Sequence, residues 1–321
     1  MWLPVGQGNG LGTENSSGGL CVTSKFPLAD SMRHFLRSLR QLIDTYQKST
    51  QEEDAVTPFP VTGVVEDAVH GMSDYLFSRL HEPDDNDSLP AIDFQLGDLF
   101  DSLSLTHILR LFAFVLLEKK IVLVASSYTV LFNVSEALRV LLHPLVWSHL
   151  YVPILPIALK DCLHCPTPFI FGLHDSYVRR SQMPRPSADL VVVNLDRDSL
   201  TGGGEVILPP VRQSMLREEL FRLCKPHLFS RDSIDSFETN SSPSGSFPTR
   251  AVRCLFRKHV REILTSLEPC VNRFEFNDQS VCVVDSINAS QWPADAQRFC
   301  STLLLTQAVS TYLATTTSTW M

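Results

Sequence analysis

Apolar residues recur at intervals of three and four along residues 32–46: Met32, Phe35, Leu36, Leu39, Leu42, Ile43 and Tyr46. Arg33, Arg37, Arg40, Gln41, Asp44 and Gln47 fill the opposite face. That period predicts an amphipathic helix, and Asp30 or Ser31 stands where its N-cap is expected. Across residues 96–119 the apolar positions run nearly all round a helix (Leu105, Ile108, Leu109, Leu111, Phe112, Phe114, Val115, Leu116), the pattern of one buried on most sides. Residues 120–125 form a short apolar run bounded by polar residues, as in a parallel strand covered on both faces. Leu131, Val134, Leu138, Leu141 and Leu142 predict a further helix that stops near Pro144. Strands follow at 151–154, 169–173 and 190–195, with a helix at 157–164 between the first two. This alternation predicts an α/β fold, a three-layer sandwich around a largely parallel central sheet.

Past Pro210 the periodicity turns helical: Leu216, Leu220, Leu223 and Cys224; then Val252, Leu255, Phe256, Val260, Ile263, Leu264 and Leu267; then, from Pro293 onward, Phe299, Leu303 and Leu304. Gly202, Gly203 and Gly204 read as a hairpin turn between the strand ending at 195 and residues 205–208. They are not a phosphate loop, since no Gly-Lys-Ser/Thr follows and no helix starts there. Residues 1–19, rich in Gly, Asn and Ser, are expected to be a disordered leader, and 230–249, rich in Ser, a disordered insertion open to phosphorylation. The resulting division is 1–19 leader, 20–47 first helical module, 48–94 linker with short elements, 95–210 α/β domain and 211–321 helical part.

The 321 residues carry 44% hydrophobic and 19% charged side chains, ample for a core. A net charge of -8 excludes the broad basic field of a nucleic-acid binder. Eight cysteines, at 21, 162, 165, 224, 254, 270, 282 and 300, are too sparse for a disulfide framework and are expected to be reduced, in a cytoplasmic protein. Met1, Trp2, Leu3 and Pro4 lack the basic start of a secretory signal. The uncharged run 299–321 holds eleven Ser, Thr or Gln residues, too many for a membrane span. Cys162-Leu163-His164-Cys165 has metal-like spacing but no second pair, so no metal site is expected. Ser126 and Ser127 follow a strand without a nucleophile elbow, and no catalytic residue or cofactor is assigned.

Several uncommon dipeptides fall in order over residues 105–176: Glu118-Lys119-Lys120 before the strand, His143-Pro144, Trp147-Ser148-His149, Tyr151-Val152-Pro153-Ile154-Leu155-Pro156, and Cys165-Pro166-Thr167-Pro168 leading to Gly172, His174, Asp175 and Ser176. This order resembles the central part of a DENN domain, the family of guanine nucleotide exchange factors for Rab-type small GTPases. Residues 21–27 resemble the strand and turn that close the family's N-terminal longin module, of which only the end (20–47) is matched. Residues 298–312, with Thr306 and Gln307, resemble its terminal helix.

The resemblance implies a regulator without covalent chemistry that binds a nucleotide-free Rab-type GTPase in membrane traffic. It also implies peripheral recruitment to vesicle or endosomal membranes through that partner, with no transmembrane segment. Ligands of open α/β sheets meet the loops beyond the carboxyl ends of the strands. Those loops are 126–128, 174–177 and 196–199, and Asp175, Ser176, Asp196 and Arg197 are the GTPase-contact candidates by position. With the longin match confined to its end, exchange activity is expected to depend on a complete longin module. The alternative is a truncated DENN scaffold that binds a GTPase or another protein without releasing nucleotide.

Overall fold

The computed structural model describes residues 2–4, 19–21, 29–50, 89–90, 92–94, 96–178, 184–205, 208–232, 247–276, 279–284 and 292–316. The chain divides into two units, Met1–Phe94 and Gln95–Met321.

In the first unit, β1 (Trp2–Pro4) pairs antiparallel with β2 (Gly19–Cys21), so the stretch expected to be a disordered leader contains a strand. Helix α1 spans Ala29–Thr50 and buries Phe35, Leu36, Leu39 and Ile43, whereas Leu42 is exposed. Its cap differs from expectation. The Asp93 carboxylate accepts the Asp30 and Ser31 amides at 3.2 and 2.6 Å, and the Asp30 side chain instead pairs with Arg33. A carboxylate there satisfies orphan donors and lies at the positive end of the helix dipole. Of the linker expected over 48–94, residues 48–50 belong to α1, and 51–88 and 91 lie outside the described residues.

The second unit is built on a five-stranded sheet of order β4-β5-β3-β6-β7, with β3 Lys120–Ala125, β4 Leu150–Val152, β5 Phe169–His174, β6 Leu190–Asn194 and β7 Ser199–Gly202. The first four strands are mutually parallel and β7 is antiparallel to β6. The fold is therefore the α/β class read from the periodicity. Strand β3 is central and buried from Ile121 to Ala125, as its continuous apolar run requires. One face carries Val122, Val124, Phe169, Phe171 and Leu173, with the Phe169 and Phe171 rings stacked 4.2 Å apart. The other carries Leu123 and its register partner Gly172, against which Leu131 of helix α4 (Tyr128–Leu141) packs. A Cβ on Gly172 would stand 1.9 Å from the Pro153 carbonyl oxygen, which explains the glycine in the middle of a buried strand.

Four differences from the sequence reading have local causes. The helix expected over 96–119 is two, α2 (Gly97–Ser102) and α3 (Leu105–Leu116), parted where Ser104 turns extended and gives its amide to Asp198 at 2.9 Å. The segment Ile157–His164 is a 3-10 helix with Leu159 out of helical geometry, not an α-helix. The hairpin turn precedes the glycines: β6 turns through residues 195–198 into β7. Gly203, at φ +81, lies where a side chain would strike the Phe114 ring. The C-terminal part is not wholly helical, for β8 (Val271–Phe276) and β9 (Gln279–Val284) form an antiparallel hairpin.

Helix α5 (Asp175–Val178) follows β5, and α6 (Pro210–Asp232) and α7 (Thr249–Leu267) pack beside α3 and α4, Phe256 meeting Phe112 edge-on at 4.7 Å. The Ser-rich stretch lies outside the described residues at 233–246. The last expected helix divides into α8 (Ala294–Leu304) and α9 (Gln307–Thr316). Among the described residues no helix is long and apolar enough to cross a membrane.

Candidate functional site

The chain leaves the carboxyl ends of β3 and β5, adjacent strands, in opposite directions. From β3 it runs through α4 on the Leu123 face to edge strand β4. From β5 it passes through α5, whose Val178 packs on the Phe171 face, to β6 on the other side of β3. At such a reversal open α/β sheets bind their ligands, beyond the strand ends. Ser126, Ser127 and Tyr128 stand on one side of this point, and His174, Asp175, Ser176 and Tyr177 on the other.

His174 ties the two sides together. Its Nε2 lies 2.8 Å from the Ser126 carbonyl oxygen, while Nδ1 accepts the Ser176 amide at 3.2 Å and lies 2.8 Å from the Ser176 hydroxyl. Because a carbonyl only accepts and an amide only donates, the ring is held as the neutral Nε2–H tautomer. The Tyr128 ring lies 4.6 Å from the imidazole and that of Tyr177 6.1 Å from it. The neighbouring Tyr177 phenol raises the Tyr128 hydroxyl above its ordinary pKa. Tyr128 remains 47% exposed, a broad aromatic surface on a braced base.

The β6–β7 turn supplies the third loop. Leu195 donates its amide to the Val124 carbonyl at 2.8 Å, and the Asp196 carboxylate accepts the Ser126 amide at the same distance, so this turn braces the β3 loop. Asp198, at φ +46, reaches the opposite way to the Ser104 amide and to His107 Nδ1, 2.7 Å away. Burial alone would raise its pKa, but the hydrogen bonds from His107 and Ser104 outweigh that and hold it below the usual carboxylate range.

Of the residues picked from position, Asp175, Ser176 and Asp196 lie on the strand-end loops, and Arg197 is exposed beside Asp196. Ser176 and Asp196 are engaged in holding loops, and Asp175 opens α5. Sequence reasoning passed over Tyr128, Tyr177 and the bridging role of His174. Their place at or within three residues of a strand end was the available signal.

A second constellation joins the rare dipeptides. The Glu118 carboxylate, at φ +51, accepts the Gln307 and Ala308 amides at 2.9 and 2.8 Å, capping α9 from 189 residues away. His149 Nε2 stands 2.9 Å from the same carboxylate, and the Trp147 ring meets His149 edge-on at 5.5 Å. The Glu-Lys-Lys, Trp-Ser-His and Thr-Gln signatures thus meet at one carboxylate.

Residues 15–198 match the family model described as the DENN (AEX-3) domain. The chain belongs to the DENN family. It is 31% identical over 187 residues to the DENN domain and WD repeat-containing protein SCD1 of Arabidopsis thaliana, covering 56% of this chain and 16% of that protein. It is 32% identical over 198 residues to DENN domain-containing protein 2B of Homo sapiens, covering 60% and 16%. With the human DENN domain-containing protein 2C the identity is 29% over 231 residues, covering 68% and 23%. The DENN chain therefore spans about a sixth to a quarter of the length of these relatives. The matched segment ends at Asp198 and includes nearly all of the three strand-end loops.

Proposed function

We propose that this DENN chain binds a Rab-type small GTPase through its strand-end loops and promotes release of bound GDP without the complete longin module expected from the sequence, because the braced cluster that would contact the GTPase lies wholly within the chain. Family membership supports a small GTPase as the partner. The observation that carries the location is the braced cluster of Tyr128, His174 and Tyr177, with Asp175, Asp196 and Arg197 on the strand-end loops, at the point where the sheet's connections diverge. Tyrosines held by a rigid base bury much area at small entropic cost, and such side chains dominate interface energetics.

An exchange factor makes no covalent bond. It accelerates release by binding the nucleotide-free GTPase better than the loaded one, and by linkage the nucleotide weakens the factor as much as the factor weakens the nucleotide. Affinity is therefore the direct readout. Measured by biolayer interferometry across a panel of Rab proteins, the chain should bind one or more nucleotide-free GTPases at least about tenfold more tightly than their GDP-bound forms, a difference of about 1.4 kcal/mol. Equal affinity for both states would favour the scaffold alternative, and no binding to any member of the panel would overturn the proposal.

A further inference from the structure

Cys162-Leu163-His164-Cys165 is chemistry that the strand-end loops do not use. Two thiols are too few for a structural zinc site, and among the described residues no three His, Cys, Asp or Glu side chains are grouped to hold a metal. For a dithiol the arrangement is well suited. The pair closes the 3-10 helix, where the Cys165 amide donates to the Cys162 carbonyl at 3.0 Å. A four-residue turn of this kind holds its end Cα atoms within about 7 Å, and disulfides span about 4.4 to 6.8 Å. Both thiols are free and half-buried, and both pack on the cluster of Val122, Phe169 and Phe171, so they leave the turn on one side.

The two also differ from the other cysteines whose thiols are described. Cys224, Cys270 and Cys300 are buried, and burial pushes the Cys224 and Cys300 thiols up to about 11, away from reactivity. Cys254 is exposed with no second thiol near it in sequence. The Cys165 sulfur lies 3.1 Å from the Thr167 hydroxyl. That hydrogen bond, together with the Thr167 backbone and the field of Lys120, holds its pKa below the ordinary thiol value against the opposing effect of burial.

We propose that Cys162 and Cys165 are a redox pair that closes reversibly into an intramolecular disulfide when it meets an oxidised thiol such as glutathione disulfide. The Cys165 thiolate attacks one sulfur of the oxidant, forming a Cys165–glutathione mixed disulfide and expelling one glutathione thiolate. Cys162 gives up its proton and attacks the Cys165 sulfur, expelling the second. The two protein thiols are oxidised, one glutathione disulfide is reduced to two glutathione molecules, and the two protons lost by the cysteines end on them. Closure staples the connector between edge strand β4 and β5 at the turn that seats Leu163 on the sheet.

The test is to incubate the full chain with excess glutathione disulfide near neutral pH, block remaining thiols with an alkylating agent, and digest with trypsin, which leaves both cysteines on the peptide 161–179. The expected product is that peptide unalkylated and lighter by two hydrogens, restored by dithiothreitol, while Cys254 goes no further than a glutathione adduct. Cys162→Ser should stop at the Cys165 mixed disulfide. Cys165→Ser, lacking the assisted thiolate, should react at Cys162 at least about tenfold more slowly. A wild-type peptide found doubly alkylated, or carrying a persistent glutathione, or linked to a second chain, would overturn the proposal.

Discussion

Two aspartates of the β6–β7 turn brace different parts of the structure: Asp196 holds the β3 loop, and Asp198 joins the starts of α3 and β7 through Ser104 and His107. Asp198→Ala should cost about 1 to 2 kcal/mol at neutral pH, the usual penalty for a lost helix-cap acceptor. Because its folded pKa is depressed, the stabilisation is fully present above the unfolded carboxylate value of about 3.9 and disappears as pH falls through the folded one. Urea denaturation of wild type and variant should thus show a gap at pH 7 that narrows steadily below about pH 4. A gap independent of pH would mean that the carboxylate is not what His107 and Ser104 hold. At this scale the sequence disclosed the buried apolar residues through their period. It did not disclose which polar groups meet, because Asp93 and Asp30 are 63 positions apart and Glu118 and Ala308 190. Hydrogen bonds between such remote residues leave no periodic trace.

Long elements with a strong repeat were legible, namely α1, the β3 strand and α4, and breaks imposed by partners elsewhere were not. The interruption at Ser104 depends on Asp198, and the division between α8 and α9 is fixed by Glu118, which receives the first amides of α9. The β8–β9 hairpin left no clear strand signal because Arg273, Glu275, Asn277 and Asp278 interrupt a short segment lying between two strongly helical ones. Two predictions belong to this scale. Leu138 of α4 is 1% exposed, and Leu138→Ala should destabilise the fold by about 2 to 5 kcal/mol, read as a lowered urea midpoint. An unchanged midpoint would mean that α4 does not seal the sheet. Glu118→Gln keeps the size but removes the charge at the α9 N-terminus, and should cost about 0.5 to 2 kcal/mol. Hydrogen exchange should quicken in the first turn of α9 while the β3 amides stay protected, and equal change in both would contradict a local cap.

For the molecule as a whole, alternating strands and helices and the run of rare dipeptides made both the α/β class and the DENN family readable in the sequence. The site was readable only as a set of loops, since its aromatic members are brought together by a strand order that crosses from β3 to the sheet edge and back. The central claim is that these loops engage a Rab-type GTPase and drive GDP from it. The most direct test is the release rate of fluorescent GDP from the Rab protein that the chain binds best, with wild type, Tyr128→Ala and Tyr128→Phe, each first shown to keep the wild-type unfolding midpoint. Wild type should accelerate release, and Tyr128→Ala should lose about 2 kcal/mol of that effect, roughly thirty-fold in rate, with Tyr128→Phe retaining most of it. Unchanged acceleration by Tyr128→Ala, or none by wild type, would contradict the account.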